Sequence, residues 1–113
     1  MQPITPTALH IRRLSRIRKW EDAHLPIYGS LLGRDLVLLL AQYHLEARRF
    51  TLKEVYYSLP YSENAVRRHL KRLLADGWIS LGPPGPDRRF RFVIPSETLQ
   101  RAVERYLSEA SLL

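Results

Sequence analysis

A chain of 113 residues, 45% hydrophobic and 26% charged, has room for one compact domain over 1–113 and the composition of a folded one. Its net charge of +7 points to an acidic partner. The lack of cysteine excludes disulfides, thiolate catalysis and zinc-finger sites together. The start has no charged-then-apolar leader pattern, and the longest apolar run, Leu36 to Ala41, is far too short to span a membrane, so the expected location is cytoplasmic with no membrane partner.

The positive charge is clustered. Residues 1–20 hold five basic side chains and no acid, and residues 62–91 hold seven basic and three acidic ones. The stretches 21–61 and 92–113 each come to −1. Two basic segments separated by near-neutral ones are the footprint expected for binding a polyanion, although arginine-rich surfaces also arise merely from solvation.

The first predicted helix runs from Thr7 to Ala23, with Leu14, Ile17 and Trp20 on one side. Pro26 and Gly29 break it, and a second, very apolar helix is expected over Arg34 to Arg48 as a central element. Thr51-Leu52-Lys53-Glu54 has the capping-box pattern, in which each side chain satisfies the other's free backbone amide. It opens a short helix with apolar residues at Leu52, Val55, Tyr56 and Leu59, stopped by Pro60. Ser62 caps the next helix, which ends at Ala75 or Asp76 before Gly77. Trp78 to Leu81 reads as a strand and Gly82 to Asp87 as a loop. Arg88 to Ile94 reads as a second strand, with Phe90, Phe92 and Ile94 on one face and Arg89 and Arg91 on the other. A last helix starts at Ser96. The order is mainly α with a small β-hairpin wing: a winged helix-turn-helix, with the helix-turn-helix over 51–76 and the wing over 78–94.

On the helix after Ser62, Val66, Leu70, Leu73 and Leu74 form one stripe at about 100° per residue, while Asn64, Arg68, Lys71 and Arg72 fall opposite, with Arg67 at the edge. Arginine matches both guanine acceptors of the major groove, asparagine matches adenine, and lysine suits a phosphate. A merely solubilising face normally intersperses both signs, yet no acid lies between Glu63 and Asp76. The proline- and glycine-rich loop then projects with Arg88, Arg89 and Arg91 at its base, placed for backbone or minor-groove contact.

The run Ser62-Glu63-Asn64-Ala65-Val66-Arg67-Arg68-His69-Leu70-Lys71-Arg72-Leu73, followed by Asp76-Gly77-Trp78-Ile79, resembles the recognition helix and first wing strand of MarR-type transcriptional regulators. Asp87-Arg88-Arg89 matches that family's Asp-x-Arg wing motif. The resemblance covers residues 32–98. It implies a homodimeric regulator of transcription bound to double-stranded DNA, with Ser62, Asn64, Arg67, Arg68, Lys71, Arg72, Arg88, Arg89 and Arg91 at the DNA and Asp87 orienting Arg89. The terminal helices over 7–23 and 96–113 would form the dimer, using Leu9, Trp20, Leu99, Val103, Tyr106 and Leu107. The family also admits a small-molecule effector, against which the short ends of this chain argue.

Catalysis has no visible seat. His10, His24, His44 and His69 lack ligand spacing, Gly29 to Gly33 lacks the lysine of a phosphate loop, and no serine sits in a nucleophile elbow. The expectation is a non-enzyme with no cofactor and no metal. Two other readings stay open: a replication, partition, phage or plasmid-control DNA-binding protein, and a winged-helix protein–protein module whose basic face meets an acidic partner. The basic run at Arg12 to Lys19 could also touch RNA or DNA backbone.

Overall fold

A computed structural model describes residues 3–113; Met1 and Gln2, part of the 1–113 span and of the start read for a leader, lie outside the described residues. Five α-helices and a two-stranded antiparallel hairpin follow in the order α1 (Pro6–His24), α2 (Leu31–Leu45), α3 (Leu52–Ser58), α4 (Glu63–Ala75), β1 (Ile79–Leu81), β2 (Val93–Pro95) and α5 (Glu97–Ala110). A 3-10 turn, Arg88–Phe90, lies between the strands.

Each helix begins at a hydroxyl side chain that satisfies an orphan amide. Thr5 accepts from Ala8, Ser30 from Gly33, Thr51 from Glu54, Ser62 from Ala65 and Ser96 from Leu99. At Thr51 both bonds of the capping box form. The Ser30 cap explains why α2 starts three residues before the Arg34 expected from the apolar run. Its end at Leu45 coincides with a left-handed turn at Ala47, φ 51°. α4 closes with two reversed bonds, Gly77 N–H to the Leu74 carbonyl and Trp78 N–H to the Leu73 carbonyl, which require the left-handed Gly77 at φ 78°.

The core gathers Leu36, Val37 and Leu40 of α2, Leu52 and Val55 of α3, and Val66, Leu70 and Leu73 of α4, and is closed by Ile79, Val93, Leu99 and Val103. Leu99 and Val103 are therefore consumed by the chain's own core. The sequence reading left them free for a partner, because a winged helix can close without them. Trp20 and Tyr106 also pack onto the core. The large apolar side chains that do stay exposed at the ends are Ile4, Leu9, Ile11, Leu14, Leu107 and Leu112. α1 reaches outward, giving extents of 66 × 27 × 23 Å and a radius of gyration of 16.3 Å, against about 13 Å for a compact chain of this size.

The wing departs from the expected strand over Arg88 to Ile94. Only Val93–Pro95 pairs with β1, in the register Ile79↔Pro95, Ser80↔Ile94 and Leu81↔Val93. The inward residue is Val93, 3% exposed, and not Ile94, 45% exposed, so the alternation runs one residue out of phase with the sequence reading. Two contacts set this phase. Asp87 caps the 3-10 turn through the Arg89 amide at 3.0 Å, and the segment before α3 pairs with the wing. Leu52 N–H donates to the Arg91 carbonyl and Val93 N–H to the Phe50 carbonyl, each at 3.0 Å. The first turn of the helix-turn-helix and the wing are thereby one unit.

Candidate nucleic-acid interface

α4 is amphipathic in its burial as well as its sequence. Val66, Leu70 and Leu73 are buried and Leu74 half-buried, while Asn64, Arg68, Lys71 and Arg72 are exposed and Arg67 is half-exposed. Tyr61 does not face this side freely; its hydroxyl donates to Asp35 at 2.6 Å and ties the turn before α4 to α2.

The cations of this face are held to different degrees. Arg68 and Lys71 make no ion pair or cation–π contact among the described residues, and neither does Arg88 of the wing turn. Arg67 pairs with Glu63 one turn back, 3.1 Å apart. The Arg72 guanidinium lies 3.7 Å above the Tyr28 ring, whose hydroxyl donates to Asp76 at 2.5 Å. Burial and Asp76 push the Tyr28 hydroxyl up to about 12, so it remains a donor at neutral pH. Ser62 spends its side-chain oxygen on the helix cap.

His69 sits on the half-buried flank of α4 with its ring 5.2 Å from that of Tyr28 and Nε2 3.4 Å from the Pro26 carbonyl oxygen. Burial holds its pKa below the ordinary imidazole value, although the Pro26 carbonyl opposes this and Arg72 adds to it. The ring is accordingly a neutral packing element at pH 7. It belongs to the wall of an open groove of about 400 Å³ along α4, together with Ser30, Leu32, Arg68 and Arg72.

In the wing, Asp87 grips Arg89 through the backbone amide at 3.0 Å and the guanidinium at 3.1 Å. The Arg89 guanidinium holds the carboxyl below its ordinary range. Arg91 does not stand free: Nε and Nη2 donate to the Gly82 carbonyl at 3.0 and 2.8 Å, clasping the base of the hairpin. Sequence reasoning missed the cationic surface beside the wing, where Arg49 lies 4.0 Å over the Phe92 ring and Lys53 sits near Phe90. The signal was present in Arg48-Arg49 and Lys53, but the net charge of residues 21–61 concealed it.

Among the described residues no three His, Asp or Glu side chains converge to hold a metal, and no helix is long and apolar enough to cross a membrane. An apolar groove of about 300 Å³ lies between α2 and α5, lined by Leu38, Ala41, Leu45, Tyr106 and Leu107.

These elements define a winged helix-turn-helix: α3 and α4 joined by a capped turn, followed by a hairpin that is hydrogen-bonded back to the start of α3. Known protein-family models give no match, and neither do curated proteins. Solved structures do match. Overoxidized AbfR bound to DNA is 25% identical, covering 94% of this chain and 74% of that one, with a TM-score of 0.58. Apo MarR from E. coli is 20% identical over 95% of this chain and 77% of that one, TM-score 0.55. A transcriptional regulator from Thermotoga maritima is 18% identical over 95% and 74%, TM-score 0.61. The fold is thus that of the MarR-type winged-helix regulators, mainly α with a small wing.

Proposed function

We propose that this protein is a double-stranded DNA-binding regulator of transcription that acts in the cytoplasm, with no catalytic role. The observation that carries the reading is the face of α4: Asn64, Arg68, Lys71 and Arg72 exposed together on a helix whose opposite side is buried. Set into a major groove, Arg68 and Asn64 would read base edges, and Lys71 would neutralise phosphate. Arg88 and Arg89 would meet the neighbouring backbone or minor groove, with Asp87 fixing the rotamer of Arg89. Arg67, Arg72 and Arg91 are engaged within the chain and would add charge more than readout. Ser62 would present its amide end of the helix while it caps. A gel-shift titration across salt tests this: affinity for any duplex should fall steeply as salt rises, because several phosphates are neutralised. Arg68→Ala should cost about 1–3 kcal/mol on a selected site and relax its sequence preference, whereas Arg89→Ala should weaken all sequences alike. Absence of duplex binding at low ionic strength would end this reading and leave the protein-partner module in its place.

The same reading includes a homodimer recognising inverted half-sites about one helical turn apart. What supports it is the exposed apolar set Leu9, Ile11 and Leu14 on the outstretched half of α1, together with the apolar groove between α2 and α5. A single winged helix makes too few base contacts for selective binding in a genome, so two sites per particle are the common remedy. Light scattering of the purified chain should give twice its mass. A value near 13.3 kDa would mean a monomer on an asymmetric site.

A further inference from the structure

An open groove of about 540 Å³ lies between α3 and Phe90 of the wing turn, with Arg48, Lys53, Glu54, Tyr57, Ser58 and Phe90 in its walls. Its two rings are unusually bare: Tyr57 is 77% exposed and Phe90 54%. The Lys53 ammonium lies between them, 5.8 Å from the centroid of Tyr57 and 5.2 Å from that of Phe90. No ion pair holds Lys53 among the described residues. The nearby acids are already engaged, Glu54 by Arg48 and Asp87 by Arg89. The groove therefore presents a cation without an ion pair beside two largely exposed aromatic rings.

That combination selects its occupant. A phosphate satisfies the cation, and flat rings satisfy the aromatic side chains. A duplex keeps its base faces stacked inside and can offer only the first, whereas an unpaired strand offers both. We propose that this groove binds unpaired nucleotides, with bases stacked on Tyr57 and Phe90 and a backbone phosphate on Lys53. The site is distinct from the exposed face of α4 and does not depend on how that face reads a duplex.

Fluorescence anisotropy of the full chain with labelled oligothymidine, oligouridine and a duplex tests it. The wild type should bind the single strands, and Tyr57→Ala and Phe90→Ala should each weaken that binding about tenfold, the loss expected for one stacked base. Tyr57→Phe should retain it, since the ring and not the hydroxyl stacks. Duplex affinity should change less than about twofold in all three, because their charge is unaltered. Equal losses on both sugars mean that base and phosphate alone are read, and a larger loss on one identifies the strand preferred. Both rings are exposed, so these variants keep their thermal transitions. The proposal fails if the wild type binds neither single strand. It also fails if the Tyr57→Ala/Phe90→Ala double variant keeps full single-strand affinity, or if single-strand and duplex affinities fall in the same proportion.

Discussion

Arg34→Met is expected to destabilise the protein by about 3–5 kcal/mol, the cost typical of leaving a buried charge without its partner. The charge in question is Glu21, the one fully buried acidic side chain among the described residues, at 0% exposure. Its carboxylate accepts from Arg34 Nε at 2.7 Å, Arg34 Nη2 at 3.2 Å and the Tyr106 hydroxyl at 2.5 Å. Removing Arg34 leaves a buried anion with a single neutral donor. Glu21→Gln should cost less, because the Arg34 side chain is 32% exposed and can turn toward water. The double variant Glu21→Met/Arg34→Met should recover most of the loss, since apolar packing often replaces such pairs without penalty. Urea unfolding with an unchanged slope measures all three. A loss below about 1 kcal/mol for Arg34→Met would show that Glu21 is not held as a desolvated ion.

The trio has a structural consequence. Glu21 belongs to α1, Arg34 to α2 and Tyr106 to α5, so one ionic knot fixes both terminal helices on the winged-helix body. Trp20 reinforces it by donating from Nε1 to Glu109 at 2.9 Å. Burial and Glu21 push the Tyr106 hydroxyl up to about 12. A raised folded pKa stabilises fully below the unfolded value of about 10 and is lost as pH climbs through 12, so alkali loosens this knot over that window.

How much of this was legible in the sequence depends on how local the cause is. The α4 face, the Thr51–Glu54 capping box, the Ser62 cap and the Gly77 stop are set within one or two helical turns, and each follows from neighbouring residues. The phase of β2 does not: it is fixed by hydrogen bonds from Leu52 and Val93 to partners 39 and 43 residues away in the chain. Phe50-Thr51, an aromatic residue followed by the β-branched cap of α3, was the available hint of that pairing. Glu21 was hidden for a different reason. In a basic, exposed helix the acidic pair Glu21-Asp22 reads as two solvent residues, and only the place of Glu21 in the row Ile17, Trp20, Glu21 marks it as inward-facing. The free or engaged condition of each arginine was not readable either, because Arg72 finds Tyr28 and Arg91 finds Gly82 through tertiary contacts. Leu99 and Val103 were misjudged because sequence shows which face is apolar without showing what covers it.

Gly33→Ala should be strongly unfavourable although it places alanine in a helix, where the exchange ordinarily gains up to about 1 kcal/mol. Gly33 lies buried in the first turn of α2, with its amide donating to the Ser30 cap at 2.9 Å. A Cβ there would overlap the Ile27 carbonyl oxygen and come within 2.5 Å of His69 Cε1. The Ile27 carbonyl cannot easily retreat, since it accepts from the Ser30 amide at 3.1 Å and the Ser30 hydroxyl at 3.2 Å. The methyl must therefore displace either the 25–30 loop or α4 itself. Overpacking of this kind costs about 1–3 kcal/mol, so the net sign should reverse to destabilising. His69→Ala added to Gly33→Ala removes one of the two clashes and should restore stability only in part. Because His69 shares α4 with Arg68 and Arg72, which are proposed to meet DNA, duplex affinity should fall in Gly33→Ala even at temperatures where the protein is fully folded. A neutral or stabilised Gly33→Ala variant in urea unfolding would mean that α2 and α4 are not in the close approach described, and the placement of the α4 face would have to be redrawn.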